Sequence, residues 1–353
     1  MSQSHDSALN ERPGCTPPAA PARTARRRPL SRAELVEGIL RGDRVVLARA
    51  ITLIESVKTS DRELAEQVIE DCLPHSGNSI RVGITGVPGA GKSSLIETLG
   101  LALIQEHGQR VAVLAVDPSS QISGGSILGD KTRMSSLAAA DQAFIRPSPS
   151  RGTFGGVAQR TREAMLLCEA AGFGTILVET VGVGQSETAV HGMVDFFVLV
   201  LIAGAGDELQ GIKRGVMEMA DLVAINKADG DNLRAAERAR AEAEQALHFF
   251  PAKTSGWTPR ALACSARSGR GVDKLWELVG EHRRLTEANR WHDRERHLQA
   301  KSWMREIVDE GLHRCFAEHP GIGQRSAELE SAVAEGRISS FRAARLLLDL
   351  FLQ

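Results

Sequence analysis

The sequence lacks the features of a membrane-spanning or nucleic-acid-binding protein. Its 353 residues carry 43 Lys and Arg against 44 Asp and Glu, a net charge of −1, so no excess of positive charge indicates a nucleic-acid or membrane surface. The longest apolar run, FFVLVLIAGAG after Asp195, is far shorter than the roughly 20 residues that span a bilayer. We therefore predict a soluble protein with neither nucleic acid nor membrane among its partners.

Paired cysteines are also absent. No CxxC motif occurs among the five cysteines, which are Cys15, Cys72, Cys168, Cys264 and Cys315. This favours reduced thiols in a cytoplasm. We expect Cys168 and Cys264 to be small core residues. His313 and Cys315 look like metal ligands, but on a helix a spacing of two residues points their side chains to different faces, so we do not predict a metal site there.

The first 29 residues are unlike the rest of the chain. Residues 1–29 contain five arginines, five prolines and few apolar side chains, so they cannot bury enough surface to offset chain entropy. We predict a disordered tail and a cytoplasmic protein. A mitochondrial transit peptide, which would place the protein in the matrix, is the alternative, although Asp6, Glu11 and the prolines oppose an amphipathic helix.

Residues 30–79 have the spacing of a short helical region. Ser31 and Glu34 have the capping-box spacing, so a helix is expected to begin there. A second helix is predicted to start near Asp43 and a third at SDRE, residues 60–63, with Pro74 ending the region.

From residue 80 the pattern changes to short apolar runs separated by helical stretches. The runs are RVGIT, RVAVLAV, GTILVET, FFVLVLIA, DLVAINKA and RALACSA. Such alternation predicts an α/β fold, with a mostly parallel, doubly wound sheet and helices on both faces, over residues 80–283.

Residues 284–353 show helical spacing again. One helix is predicted from Trp303, Ile307, Val308, Leu312 and Phe316, and a second from Phe341 to Phe351. The last segment is too apolar to remain in water. It either packs on its own domain or forms an arm that makes a homodimer, and the residues alone do not separate the two.

A phosphate-binding loop is the clearest motif. Residues 86–93, GVPGAGKS, match GxxxxGK[ST] between an apolar strand and a helical run, which is the context that this loop requires. Its backbone would surround the β-phosphate, Lys92 would bridge the β- and γ-phosphates, and the Ser93 hydroxyl would coordinate Mg²⁺. The predicted nucleotide-binding residues here are Gly86, Val87, Pro88, Gly89, Ala90, Gly91, Lys92, Ser93 and Ser94.

A second motif selects the base. Asn226, Lys227 and Asp229 belong to an NKAD sequence that follows the strand DLVAI, so they are expected at the carboxyl edge of the sheet. A carboxylate only accepts hydrogen bonds, and guanine offers two donors that Asp229 can satisfy, whereas adenine does not. Ser265 and Ala266, after the strand RALAC, fit a backbone contact to guanine O6. The two motifs together predict a P-loop GTPase.

Acidic residues follow two other strands. Glu179 and Gly182 lie in ETVG, where an acidic Mg²⁺ ligand and a glycine that senses the γ-phosphate are expected. Most GTPases would have aspartate at this place. Glutamate reaches one methylene further, so Glu179 holds Mg²⁺ through water or orients the attacking water. Asp117, at the end of RVAVLAV, and Asp130, in a glycine-rich loop, are further candidates for the metal site.

Several strings together resemble one known family. They are GVPGAGKSSLIETLG, AVDPSSQISGGSILGDKTRM, FIRPSPSRGTFGGVAQRT, ETVGVGQSE, GAGDELQGIKRG and NKAD. From about residue 35 to the C-terminus, the chain is similar to the methylmalonyl-CoA mutase-associated GTPases of the MeaB or ArgK type, within the metallochaperone GTPases.

The resemblance implies a function that the residues alone do not. Members of this family guard an adenosylcobalamin-dependent acyl-CoA mutase, gating cofactor delivery and expelling damaged cobalamin at the expense of GTP. They are dimers through their C-terminal helices, which favours the arm. No cobalamin ligand or acyl-CoA site is recognisable in this chain, so the mutase is implied by resemblance alone.

The resemblance also assigns roles to individual residues. It places Asp117, Asp130 and Glu179 in the Mg²⁺ and switch apparatus. By the same resemblance, Gln185 and Glu187 fall in a second switch, and Gln210 and Lys213 fall in a third switch that senses the mutase. The catalytic residues expected on all these grounds are Lys92, Glu179, Gln185 and Lys213.

Two other functions remain as alternatives at this stage. A nickel-delivering GTPase would need a Cys/His metal site near the switches, and no suitable spacing is visible. A small-molecule or protein kinase, a label attached to some ArgK-type sequences, would need an acceptor pocket and adenine specificity, which Asp229 opposes.

Overall fold

Three helices precede the sheet in the part of the chain that the structure describes. The computed structural model of the protein describes residues 28–56, 58–116, 134–147, 154–180, 186–204 and 214–352. The helices are α1 (Arg32–Leu40), α2 (Arg44–Ile54) and α3 (Thr59–Cys72), and a 3₁₀ turn at Leu73–His75 follows them. α2 begins near Asp43, as predicted, and Asp43 caps it, because its carboxylate accepts the N–H groups of Val45 and Val46.

The predicted start of α3 is one residue late. The helix begins at Thr59, and the preceding residue, Lys58, makes no side-chain capping bond. The Ser56 hydroxyl instead donates to Asp61 in the first turn, over 2.7 Å. A side chain before the helix therefore ties its first turn to the chain that leads into it.

The central sheet has seven parallel strands in the described part of the chain, in the order β3-β2-β4-β1-β5-β6-β7. The strands are β1 (Ile80–Gly86), β2 (Val111–Val116), β3 (Ala143–Arg146), β4 (Thr175–Thr180), β5 (Phe196–Ile202), β6 (Leu222–Asn226) and β7 (Arg260–Ala263). Six were predicted, and the α/β class is confirmed. The missed strand, β3, is a four-residue edge strand in which only two residues are buried.

Helices connect the strands and cover the sheet. They are α4 (Lys92–His107), α5 (Ser135–Ala139), α6 (Phe154–Ala170), α7 (Ser186–His191), α8 (Arg214–Met219) and α9 (Leu233–Leu247), and a 3₁₀ turn at Gly230–Asn232 precedes α9. Because parallel crossovers are right-handed, connections that run toward β3 and those that run toward β7 place their helices on opposite faces. Cys168 and Cys264 are fully buried, as predicted.

Gly83 lets α7 pack closely on the central strand β1. A Cβ at this position would lie 2.8 Å from the Phe197 ring and 3.0 Å from the side chains of Val190 and Val194. Such distances are too short for a side chain, so any residue larger than glycine would push α7 and the start of β5 away from β1.

Four helices follow the sheet. They are α10 (Val272–Ala288), α11 (Trp291–Glu318), α12 (Ile322–Ala334) and α13 (Ser340–Phe351). The two predicted C-terminal helices correspond to α11 and α13, whereas α12 was not predicted. The boundary placed at residue 283 lies inside α10. Every helix in the described residues is too short or too polar to span a bilayer.

A buried ion-pair network joins α11 to the amino edge of the sheet. Arg81 on β1 donates to both carboxylate oxygens of Glu169 on α6, over 2.8 and 2.9 Å. Arg296 on α11 donates to both oxygens of Asp195, over 2.8 and 2.7 Å. The Ser79 hydroxyl also donates to Glu169, over 2.6 Å. Partners thus surround each buried carboxylate, as burial of a charge requires.

The network changes the titration of its carboxyl groups. Burial alone would raise the pKa of Glu169, but hydrogen bonds and positive charge from Arg81, with help from Ser79 and Arg296, lower it overall. The pKa of Asp195 is lowered in the same way, because the charge and hydrogen bonds of Arg296 outweigh the effect of burial.

We expect Glu169→Gln to lower the free energy of unfolding at pH 7 by about 3–5 kcal/mol, because it leaves the Arg81 charge buried without its partner. A lowered pKa means that the contribution of Glu169 is complete above its unfolded-state pKa of about 4.3 and is lost as the pH falls through the folded-state value. Urea unfolding of the wild-type protein and of Glu169→Gln, at pH 7 and at pH 4 and below, measures the difference in their free energy of unfolding. Equal free energies at pH 7 would contradict the prediction.

Candidate nucleotide-binding site

The loop between β1 and α4 has the backbone that a phosphate cradle needs. Gly86 has φ 148°, Gly89 has φ 78° and Gly91 has φ 85°, a region that residues with a side chain rarely adopt. A Cβ on Gly86 would lie 2.1 Å from the carbonyl oxygen of Val200 on β5, so only glycine fits. Val87 and Ala90 are buried in this loop, and Pro88 and Gly89 are exposed.

Lys92 begins α4 and turns back into this loop. Its Nζ donates to the carbonyl oxygens of Gly86, over 2.8 Å, and Val87, over 3.3 Å, and the residue is buried. The ammonium charge is therefore held inside the curve of the loop, beside the N-terminus of α4, where an anion is stabilised. Ser94, in the same first turn, is exposed.

The next residue, Ser93, meets an acidic residue from another strand. Its hydroxyl donates to Oε1 of Glu179, over 2.8 Å, and Glu179 is buried. Glu179 lies on β4 in register with Ile84 of β1 and Ala115 of β2, so its carboxylate sits near the centre of the sheet edge. A hydroxyl and a carboxylate oxygen are hard donors of the kind that Mg²⁺ prefers.

Several predicted site residues lie outside the described part of the chain. They are Asp117, Asp130, Gly182, Gln185, Gln210 and Lys213. Their predicted roles stay predictions. Glu187 is described and is buried on α7. Within the described residues, no cluster of three or more His, Cys, Asp or Glu side chains is placed to hold a metal ion.

Asn226, at the end of β6, joins two loops. Its Nδ2 donates to the carbonyl oxygen of Ala90 in the phosphate loop, over 2.8 Å, and its Oδ1 accepts the N–H of Ala266, over 3.0 Å. Gly91 is close enough that a Cβ there would lie 2.7 Å from this Nδ2. The sequence motif marked Asn226 but did not indicate this bridge.

The loops that follow β6 and β7 bring the predicted base-binding residues together. The buried Ser265 hydroxyl donates to Oδ2 of Asp229, and the N–H of Ala228 donates to the carbonyl of Cys264, over 2.9 Å. Lys227 is exposed and has a positive φ of 61°. Asp229 is half-buried, so its second oxygen can accept bonds from a base.

Sequence reasoning missed Thr98, which supports the same loop. Its hydroxyl donates to the carbonyl oxygen of Ala266, over 2.6 Å, and so ties this loop to α4. A threonine in a largely apolar helix gives no sign of such a contact. The N–H of Ala266 is already bonded to Asn226, so a base carbonyl at this N–H would share or replace that bond. The predicted contact to O6 stays a prediction.

Comparisons with known proteins point to one family. A sequence model described as "Methylmalonyl Co-A mutase-associated GTPase MeaB" matches residues 47–320. A Caulobacter vibrioides protein named "Putative GTPase" is 50% identical over 89% of this chain and 95% of its own length. The Escherichia coli protein "GTPase ArgK" is 50% identical over 81% of this chain and 86% of its own.

An animal relative and a solved structure agree with these matches. The Mus musculus protein "Methylmalonic aciduria type A homolog, mitochondrial" is 47% identical over 90% of this chain and 79% of its own length. A crystal structure titled "LAO/AO transport system kinase" superposes with a TM-score of 0.73 and 39% identity, covering 91% of this chain and 98% of the other.

Asp229→Asn tests the base-binding part of the site. The substitution leaves one acceptor and adds a donor, so one guanine donor loses its partner, at a cost of roughly 2–4 kcal/mol in GTP binding. Xanthosine triphosphate, whose C2 oxygen accepts, should then bind better than GTP. Fluorescent-nucleotide titration measures both affinities, with Asp231→Asn on the neighbouring exposed turn as a control for the charge change. Unchanged GTP affinity in Asp229→Asn would contradict the assignment.

Proposed function

Because the chain belongs to the MeaB family of methylmalonyl-CoA mutase-associated GTPases, we propose that it hydrolyses GTP as the chaperone of an adenosylcobalamin-dependent acyl-CoA mutase. The observation that carries the proposal is the family match over residues 47–320. The geometry of the sheet edge supports the nucleotide half of the proposal. The mutase half rests on the family description and on the name of the mouse relative.

The base is bound between the loops that follow β6 and β7. Asp229 accepts the two guanine donors, and Ser265 holds its carboxylate in place through a hydrogen bond. Asn226 fixes the distance between this pocket and the phosphate loop, because its side chain bonds to both. A guanine nucleotide thus meets a base pocket and a phosphate loop that are already connected.

The phosphates are bound by the loop after β1. Lys92 bridges the β- and γ-phosphates and stabilises the charge that develops during hydrolysis. Ser93 and Glu179 fit a Mg²⁺ ion through their oxygen atoms, with Asp117 and Asp130 as further candidate ligands. When bound, Mg²⁺ would neutralise charge on the phosphate oxygens. Gly182 and Gln185, in the segment after β4, would sense the γ-phosphate and orient water.

The partner in this proposal is an acyl-CoA mutase that uses adenosylcobalamin, and the family description favours methylmalonyl-CoA mutase. In this proposal the GTPase gates delivery of the cofactor and protects or reactivates the mutase, and the segment with Gln210 and Lys213 senses the partner. Thermodynamic linkage then requires that the GTP and GDP states bind the mutase with different affinities. The compartment follows the mutase, which means the cytoplasm, or the mitochondrial matrix if residues 1–29 act as a transit peptide.

Neither alternative function is favoured. A nickel-delivering GTPase needs a cluster of Cys and His ligands, and the relatives with high identity carry GTPase or methylmalonic aciduria names instead. A kinase needs an acceptor pocket and a binding site for ATP. Asp229, joined to Ser265 at the base pocket, suits guanine and not adenine.

A homodimer is the second part of the proposal. The C-terminal helices expose more large apolar side chains than a surface in water normally carries. On α11 the exposed side chains are Leu298, Met304, Ile307, Val308 and Leu312. On α13 they are Phe341 and Leu348, and Leu352, directly after the helix, continues their stripe, whereas Phe351 packs on Phe316 of α11. We propose that a second copy covers these side chains.

The mutase should accelerate GTP hydrolysis, because a partner that binds the active arrangement of the switches stabilises it. We expect purified methylmalonyl-CoA mutase to raise the single-turnover rate by at least about tenfold. In Lys213→Ala the ratio of stimulated to unstimulated rate should fall to about one. A CoA enzyme without cobalamin serves as the control partner. Equal stimulation of the wild-type protein and of Lys213→Ala would show that Lys213 carries no coupling.

The dimer is tested by placing charge in its apolar surface. Leu348→Glu should convert the dimer to a monomer in sedimentation velocity, because a buried and unpaired carboxylate costs several kcal/mol. Ala327→Glu adds the same charge at an exposed residue of α12 and should leave the dimer intact. A dimer that persists in Leu348→Glu would move the interface away from α13.

A further inference from the structure

Three side chains on one face of α11 bind the loop between α7 and β5, residues 192–195, which we call the gripped loop. We call Arg296, Gln299 and Trp303 the arm clamp. Gln299 Nε2 donates to the carbonyl oxygen of Val194, over 3.0 Å, and Trp303 Nε1 donates to that of Gly192, over 3.0 Å. Arg296 donates to the carboxylate of Asp195, the residue after Val194. Spacings of three and four residues place all three donors on the same helical face.

The gripped loop lies next to the strand that carries the phosphate loop. Val190 of α7 and Val194 of the gripped loop pack against Gly83 of β1, at distances that leave no room for a side chain. Asp195 also accepts the N–H of Arg81 at the start of β1, over 2.8 Å. A shift of the loop would therefore move α7 and β5 relative to β1, whose last residue is Gly86 of the phosphate loop.

Packing alone does not fix this loop against α11. A cleft of about 1170 Å³ separates α7 from part of α11, with Thr188 and Ala189 on one wall and Leu298 and Gln299 on the other. Across such a gap few apolar contacts join α7 to α11. The directional bonds of the arm clamp are what fix the distance between the loop and α11.

Within the arm clamp, Trp303 is held by neighbouring side chains, whereas Gln299 has one unpaired polar atom among the described residues. The Trp303 ring lies under the guanidinium groups of Arg81 and Arg162, at 5.9 and 5.2 Å, which holds its N–H in direction. Gln299 is buried, yet among the described residues its Oε1 has no hydrogen-bond partner. Burying such an atom costs free energy, which the bond from Nε2 to the Val194 carbonyl offsets in part.

We propose that Gln299 and Trp303 are positioning residues for GTP hydrolysis, which hold α7 and the start of β5 at the distance from β1 that the reaction requires. They touch neither nucleotide nor metal and act through the loop carbonyls. A force on the C-terminal helices is thereby transmitted to the nucleotide site. The inference rests on the proposed GTPase activity and adds a route from α11 to it.

The test uses two variants that each remove one donor, of which Gln299→Met nearly keeps the size of the side chain and Trp303→Phe keeps an aromatic ring of smaller size. Gln299→Met and Trp303→Phe should each lower kcat for GTP hydrolysis by about three- to tenfold, the effect expected of one lost hydrogen bond. The Kd for GDP should change by less than about twofold, because the loops that bind base and phosphates keep their contacts.

Thr175→Val is the matched control. The buried Thr175 hydroxyl donates to Oε1 of Gln109, over 2.5 Å, so this variant loses one buried hydrogen bond on β4, a strand that does not pair with β5. The control variant should lose about as much thermal stability as the two clamp variants do, and it should keep the wild-type kcat.

The possible results distinguish failure of the positioning role of the arm clamp from failure of the proposed GTPase function. Clamp variants that lose stability as the control does but keep the wild-type kcat would overturn the inference and leave the GTPase intact. A wild-type protein that hydrolyses no GTP, alone or with the mutase, would overturn the proposed function and this inference with it. Because the two variants remove different donors, failure of one to fold leaves the other to decide.

Discussion

The hydrogen bonds of the Asn226 side chain are the contact on which the candidate site depends. One amide group bonds to the phosphate loop after β1 and to the loop after β7, although β5 lies between β1 and β6 in the sheet. Gly91 makes this possible, since a Cβ there would lie 2.7 Å from the Asn226 amide nitrogen. The base pocket and the phosphate loop are therefore built as one unit, which is the preorganisation that tight nucleotide binding requires.

The amino ends of the strands, on the side of the sheet opposite the candidate site, attach the C-terminal helices. There the buried pairs of Arg81 with Glu169 and of Arg296 with Asp195 attach the last helices to the start of β1 and β5. Buried ion pairs contribute little net stability, but their geometry is strict. They fix where α11 sits, and α11 in turn fixes the loop after α7. In this account the C-terminal helices are part of the machinery of the GTPase as well as a surface for a second copy.

The sequence predicted the parts of the fold that depend on local pattern. Buried parallel strands are continuous apolar runs, so VAVLAV and FFVLVLI were recognisable. The edge strand β3 was not, because its four residues AFIR are half-exposed and gain their strand geometry only by pairing with β2. The helix α12 was missed for a related reason, since only Ile322 and Leu329 are buried in it.

The site was predictable as a set of residues but not as a set of contacts. GxxxxGK[ST] and NKxD name groups whose chemistry is fixed by the nucleotide, so Lys92 and Asp229 follow from the motifs. The contact of Ser93 with Glu179 joins residues 86 positions apart, and the bond from Trp303 to Gly192 joins residues 111 apart. No local pattern encodes such pairs, because they exist only once the sheet has aligned its strands.

Competition between nucleotides tests the central claim of this account most directly. With a fluorescent GDP bound in the presence of Mg²⁺, unlabelled GTP should displace it at least about a hundredfold more effectively than ATP, because adenine has no donor at N1 or C2 for the Asp229 carboxylate and burying unmatched polar groups costs several kcal/mol. Displacement by ATP at the same concentration as GTP would contradict the account, since it would mean that the base pocket does not distinguish guanine.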